Sequence, residues 1–157
     1  MPNVKPMAPL AANLRTLRFM PWTTWTKRET LPCIDLPGVY ALQQTQEPHP
    51  ATEANPLAEE VVYIGVTAKR TLRKRWTEFD VTAFQGRNLH AGGKTYRECI
   101  GGDGSGLYVA AMGLEPLPGI DEDVDRIVRS AYALYLERKL LLDYVMQNGR
   151  LPLCNKR

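Results

Sequence analysis

The sequence predicts an α+β fold built from three strands and two long helices. Two observations carry this. Three short runs rich in β-branched and aromatic residues, 39–42, 61–66 and 107–112, read as strands. Two other stretches, about 71–83 and about 124–147, repeat apolar residues every three or four positions and read as helices. The order is strand, strand, helix, strand, helix. At 157 residues this is one domain's worth of chain, long enough to bury a real core.

Each element has its own justification. Residues 1–9 are proline-rich. Leu10, Leu14 and Leu17 then recur at helical spacing, which predicts a short helix over 9–20 that Pro21 stops. Trp22 and Trp25 follow, close to Lys27 and Arg28, and either plug the core from an N-terminal arm or stack on a partner. Pro37-Gly38 is a turn, and Val39-Tyr40-Ala41-Leu42 begins the sheet. Residues 43–60 are polar, carry Pro48, Pro50 and Pro56, and predict a long loop in which His49 is solvated.

The run from Val61 to Val66 leads through a short turn into the first long helix. Leu72, Trp76, Phe79 and Ala83 form that helix's apolar stripe. Arg75 falls on or beside the stripe, where an unpaired guanidinium is costly; its head either finds a partner or snorkels to water. Residues 86–106 hold seven glycines and predict a loop, with His90 beside Gly92-Gly93 and no phosphate-loop spacing. Asp121, Glu122, Asp123 and Asp125 precede the last helix, where negative charge suits the helix N-terminus. Ile127, Ala131, Leu134, Leu141 and Val145 form the predicted stripe of that helix, and Gly149 ends it. Glu137 lies on the same face, so it is either a site residue or half of a structural salt bridge.

Bulk properties narrow the class. The net charge of +3 neither requires nor excludes nucleic acid. The three cysteines are far apart and form no CxxC or Cys/His cluster, which argues against a disulfide framework and against structural zinc. No run approaches a membrane span and the N-terminus lacks a signal-peptide core, so a cytoplasmic protein is expected.

Gly38-Val39-Tyr40 and Tyr63-Ile64-Gly65 resemble the paired signature of the GIY-YIG endonuclease superfamily. That pattern continues with an Arg in the following helix, matched by Arg75, a Glu in a later helix, matched by Glu137, and an Asn near the end, matched by Asn155. The family's His or Tyr four residues after the Arg is replaced here by Phe79, and His90 is the candidate substitute.

The resemblance implies a small three-stranded antiparallel sheet flanked by helices in residues 37–157, preceded by the arm 1–36. It implies metal-dependent hydrolysis of DNA phosphodiesters. Glu137 would hold Mg²⁺ (or Mn²⁺), Arg75 would bind non-bridging oxygens, and Tyr40 would help take the water's proton. Tyr63 would position water or phosphate, and Asn155 would support Glu137 or the sheet edge. Lys69, Arg70, Arg73 and Lys74 would track the backbone of double-stranded DNA. A compact restriction-type, phage or mobile-element nuclease, or a DNase toxin, fits this chain length, with dimerisation on DNA to cut both strands. The competing expectations are a non-catalytic nucleic-acid-binding module of the same fold and an unrelated domain that docks a protein through the Trp arm.

Overall fold

The computed structural model describes residues 18–47 and 53–155. It is an α+β fold around one antiparallel sheet. The strands are β1 (Thr23–Thr24), β2 (Gly38–Gln44), β3 (Val61–Thr67) and β4 (Leu107–Gly113), in spatial order β1-β4-β2-β3. The helices are α1 (Leu72–Gln85), α2 (Ala91–Cys99) and α3 (Glu122–Asn148), and a 3-10 helix (Trp25–Thr30) follows β1. No helix among the described residues is long and apolar enough to cross a membrane.

Four strands stand where the sequence predicts three. The extra one, β1, is two threonines paired with Val109 and Tyr108 at the edge of β4. So short a strand has no alternation for a sequence pattern to reveal. The other three run longer than their β-branched cores because pairing carries them outward: Gly38 to Gln44 of β2 faces Gly113 to Leu107 of β4. On the other side β2 pairs with β3, with a bulge between Leu42 and Gln43.

The predicted glycine-rich loop 86–106 is also corrected, because it contains α2. Glycine is a poor helix former, and Gly92 and Gly93 hide the helix from a propensity reading. Packing overrides propensity here. A Cβ on Gly93 would come within 3.0 Å of Thr82 and 3.1 Å of the Phe79 carbonyl, so α2 seats against α1 only with glycine at that point.

The sheet separates two cores. One face carries Tyr40, Leu42, Val109 and Ala111 against Trp76 and Phe79 of α1 and Tyr96 of α2. Trp25 joins this core, 3% exposed, with its ring centroid 5.1 Å from that of Phe79 and its indole N–H donating to Asp80 at 2.7 Å. The arm tryptophan therefore plugs the core. Truncating so buried an indole costs on the order of 3–5 kcal/mol. Trp22 is only half-buried and packs on the second core. On that side Val39, Ala41, Val61 and Ile64 meet Phe19 and Tyr144 of α3.

The apolar stripe of α1 is the predicted one: Leu72, Trp76, Phe79 and Ala83 are buried. The stripe of α3 is not. Its buried positions are Asp125, Ala133, Glu137 and Tyr144, while Ile127 and Leu134 of the predicted stripe are 66% and 48% exposed. Asp121 caps the helix by accepting from the Asp123 and Val124 amides, so the acidic cluster serves the N-terminus. The helix predicted over 9–20, and His49, lie mainly or wholly outside the described residues; 18–20 are not helical.

Candidate active site

β3 is an edge strand, and beside it lies a cavity of about 340 Å³. Tyr63 of β3, Arg75 of α1, Glu137 of α3 and Asn155 of the C-terminal segment all line it. These four positions are far apart in sequence, and the fold brings them to one place. Val66, Leu134 and Leu141 give the cavity an apolar wall.

Two glycines seat Tyr63. A Cβ on Gly65 would lie 2.5 Å from one ring edge, and a Cβ on Gly92 would lie 2.5 Å from the other. Contacts that short do not occur, so the phenol fills a slot that only glycine leaves open. The Gly65 side of the slot also holds the Tyr40 hydroxyl, 2.7 Å from where that Cβ would stand. Burial pushes the Tyr63 phenol above its ordinary range; Arg75 opposes this and Glu137 adds to it.

Arg75 is half-buried. One terminal nitrogen donates to Glu78 at 3.3 Å, while its buried Nε has no hydrogen-bond partner. Burial works against its charge, but the Tyr40 and Tyr63 phenols and Glu78 outweigh that and hold it above its ordinary value. A buried donor left without an acceptor costs about 1–3 kcal/mol. That Nε is sealed from solvent, but the Arg75 side chain lines the cavity, and a guanidinium there is equipped for an anionic oxygen.

The Glu137 side chain is only 12% exposed, and its nearest cation is Arg138 at 3.6 Å, longer than a hydrogen bond. Arg138 itself is exposed and lines the cavity. Among the described residues no three His, Cys, Asp or Glu side chains cluster. A single cavity carboxylate suits Mg²⁺ or Mn²⁺, since Mg²⁺ keeps several waters and takes one or two carboxylates plus substrate phosphate.

Asn155 faces the strand. Its Oδ1 accepts from the Ile64 amide at 2.9 Å, and its Nδ2 donates to the Ile64 carbonyl at 2.8 Å. One amide side chain thus closes the open edge of β3, as a neighbouring strand would. With both groups engaged at the strand, Asn155 frames the cavity.

Tyr40 and His90 sit behind this front row and do not line the cavity. Tyr40 is fully buried, and burial followed by the charge of the Tyr63 phenol pushes its hydroxyl well above the ordinary phenol value. His90 is 3% exposed and caps α2: its Nδ1 accepts from the Gly93 amide at 3.1 Å. Nδ1 therefore carries no proton, and the neutral ring's N–H is on Nε2. Nε2 lies 2.9 Å from the Tyr40 hydroxyl and donates to it. Burial, with help from Arg75 and Arg70, lowers the imidazole pKa to about 3. In the folded protein His90 is a neutral donor that fixes Tyr40. Phe79 packs edge-on against it, with ring centroids 5.3 Å apart.

Two members of the basic cluster are already engaged. Arg70 forms a two-point pair with Glu78, and Arg73 holds Asp35 at 2.7 and 3.1 Å. Lys69 and Lys74 are exposed. Sequence reasoning offers Arg138 only as a salt-bridge partner of Glu137 and misses its place in the cavity lining, and it misses Gly92 as part of the Tyr63 seat. The Gly92-Gly93 pair was the signal for the seat, since adjacent glycines mark close approach as well as loops.

No family model, curated protein or solved structure matches this chain.

Proposed function

We propose that the chain is a metal-dependent DNA endonuclease of GIY-YIG type that hydrolyses phosphodiester bonds. One observation carries the reading: the two charges that are misplaced in their helices, Arg75 and Glu137, line one cavity together with Tyr63. A structural ion pair would explain two such charges if they bonded each other. Here each has a different partner, Glu78 and Arg138 respectively, and both side chains line the cavity.

The chemistry follows from these positions. Arg75 binds non-bridging oxygens of the phosphate and gains strength as charge builds on them in the transition state. Tyr63 is the phenol that meets a water in the cavity, since Tyr40 is sealed behind it. Its hydroxyl orients that water toward phosphorus. Arg75 next to it opposes, without reversing, the upward shift that burial imposes on the phenol; a cation held by Glu137 would favour the phenolate further, the form that accepts the water's proton. His90 and Tyr40 hold Tyr63 from behind. Glu137 would hold Mg²⁺ or Mn²⁺, which when bound supplies charge neutralisation for the departing oxygen. Lys69 and Lys74 add sequence-independent backbone contacts.

The test is incubation of supercoiled plasmid with the protein, in Mg²⁺ and in EDTA, beside Glu137→Ala and Arg75→Ala. Cleavage should require the metal, and each substitution should slow it by about 10²-fold or more. Intact plasmid with wild type and Mg²⁺, or equal cutting by Glu137→Ala, ends the proposal. Discrete bands rather than a smear would identify a site-specific enzyme.

A further inference from the structure

Six of the nine large apolar side chains exposed among the described residues lie on α3: Val124, Ile127, Leu134, Tyr135, Leu142 and Met146. All but Met146 follow a pattern. Val124, Ala131, Arg138 and Val145 recur seven apart; Ile127, Leu134 and Leu141 come three residues after the first three, and Val128, Tyr135 and Leu142 four after. A seven-residue repeat of this form is the seam along which helices pair. The stripe that faces the sheet, Ala133, Glu137 and Tyr144, is a different one. The helix therefore carries a second apolar face that is largely uncovered; of its members, Leu141 also packs on the second core.

The five exposed side chains of this seam leave on the order of 500 Å² of largely apolar surface to water, in the range of the largest patch on a soluble monomer and over half of the ~800 Å² each partner of a standard interface contributes.

We propose that this seam pairs with α3 of a second copy, antiparallel, about a two-fold axis between Leu134 and Tyr135. The seam reads alike in both directions from that point. Leu134 meets Tyr135 of the copy, Ile127 meets Leu142, and Val124 meets Val145. A two-fold interface demands this self-complementarity, and a foreign partner does not. Arg138 falls opposite Ala131, the smallest residue of the seam, which leaves room for its aliphatic stem. A single polar residue in such a seam fixes register. Leu134, Arg138 and Leu141 belong to both the seam and the cavity lining, so the copy's helix stands beside the cavity mouth. One assembly then carries two cavities side by side. The pairing is independent of the nuclease reading; only its consequence, paired cuts in the two strands, depends on it.

The test uses the full chain in sedimentation equilibrium at tens of micromolar, beside the double variant Tyr135→Glu, Leu142→Glu. Neither residue lines the cavity. Wild type should have twice the chain mass, and the variant the single mass with unchanged circular dichroism. In parallel, Tyr135→Cys in a Cys99→Ser background should join two chains through a short bis-maleimide, since Cys33 and Cys154 are buried. This arm decides the matter if the charged variant misfolds. A monomeric wild type overturns the proposal, as does a dimer that survives both glutamates or resists the cross-link. A wild type that dimerises only after removal of residues 1–17 overturns it too, assigning the seam to that segment. A wild-type dimer that cuts no DNA upholds the interface and sinks the nuclease reading alone.

Discussion

Acidification should destabilise this protein through one buried imidazole. His90 is neutral when folded, with a pKa lowered to about 3 from 6.5. Its Nδ1 is occupied by the Gly93 amide, so a second ring proton would face another N–H. The unfolded chain binds that proton readily near pH 6. Between pH 6.5 and about 3 the unfolded state therefore holds more protons than the folded one, and stability falls as pH falls. The contribution is fully present above pH 6.5. Working from these two values, the loss is about 2 kcal/mol at pH 5 and about 3 kcal/mol at pH 4 relative to pH 8.

The assay is urea unfolding of wild type and His90→Asn at pH 8, 6, 5 and 4. Asparagine keeps a side-chain acceptor for the Gly93 amide and cannot titrate. The wild-type curve should therefore drop by about 3 kcal/mol more than the variant's by pH 4. Parallel curves for the two proteins would mean that His90 takes up no extra proton on unfolding, as would an NMR titration of His90 with a midpoint near 6.5.

Other outcomes follow from the same geometry. Gly92→Ala should displace the Tyr63 ring, lower the unfolding free energy by about 1–3 kcal/mol and abolish cleavage; unchanged stability would mean that the slot is not tight. Asn155→Ala should strip the Ile64 amide and carbonyl of their partners, destabilise by about 1–3 kcal/mol and speed hydrogen exchange at Ile64, with full protection there counting against the clamp. Asp35→Asn frees Arg73 from its strongest partner, so non-specific DNA affinity should rise and log K against log salt should steepen by about 0.9. An unchanged slope would remove Arg73 from the DNA surface.

The legible parts of the fold were those with a strong local period. The stripe of α1 could be read from spacing, because it is a regular pattern against one partner surface, and three of the strands from their β-branched and aromatic runs, because both faces of the sheet are buried. The stripe of α3 was misread for a physical reason. That helix is apolar on two sides, and the seam through Ile127 and Leu134 is the stronger pattern, while the face that meets the sheet contains Ala133, Glu137 and Tyr144. Helix α2 was invisible because its glycines are set by Tyr63 and Thr82 across the fold, contacts that no local window contains. In the site, Arg75 and Glu137 stood out because a charge in an apolar stripe is expensive. The division between Tyr63 at the front and Tyr40 at the back could not be read, since both lie in equivalent strand patterns. Burial separates them, and burial is a property of the assembled layers.

The Asn155 clamp also sets an order of events. It joins residues 91 apart in the chain, whereas β2 and β3 pair as sequence neighbours. Closing the longer loop costs more entropy and comes later along the folding path. The sheet can thus form while the edge at Ile64 is still open and the cavity lacks its last wall. A refolding experiment should show β-structure first and protection of the Ile64 amide afterwards, with any catalytic competence arriving in step with that second phase.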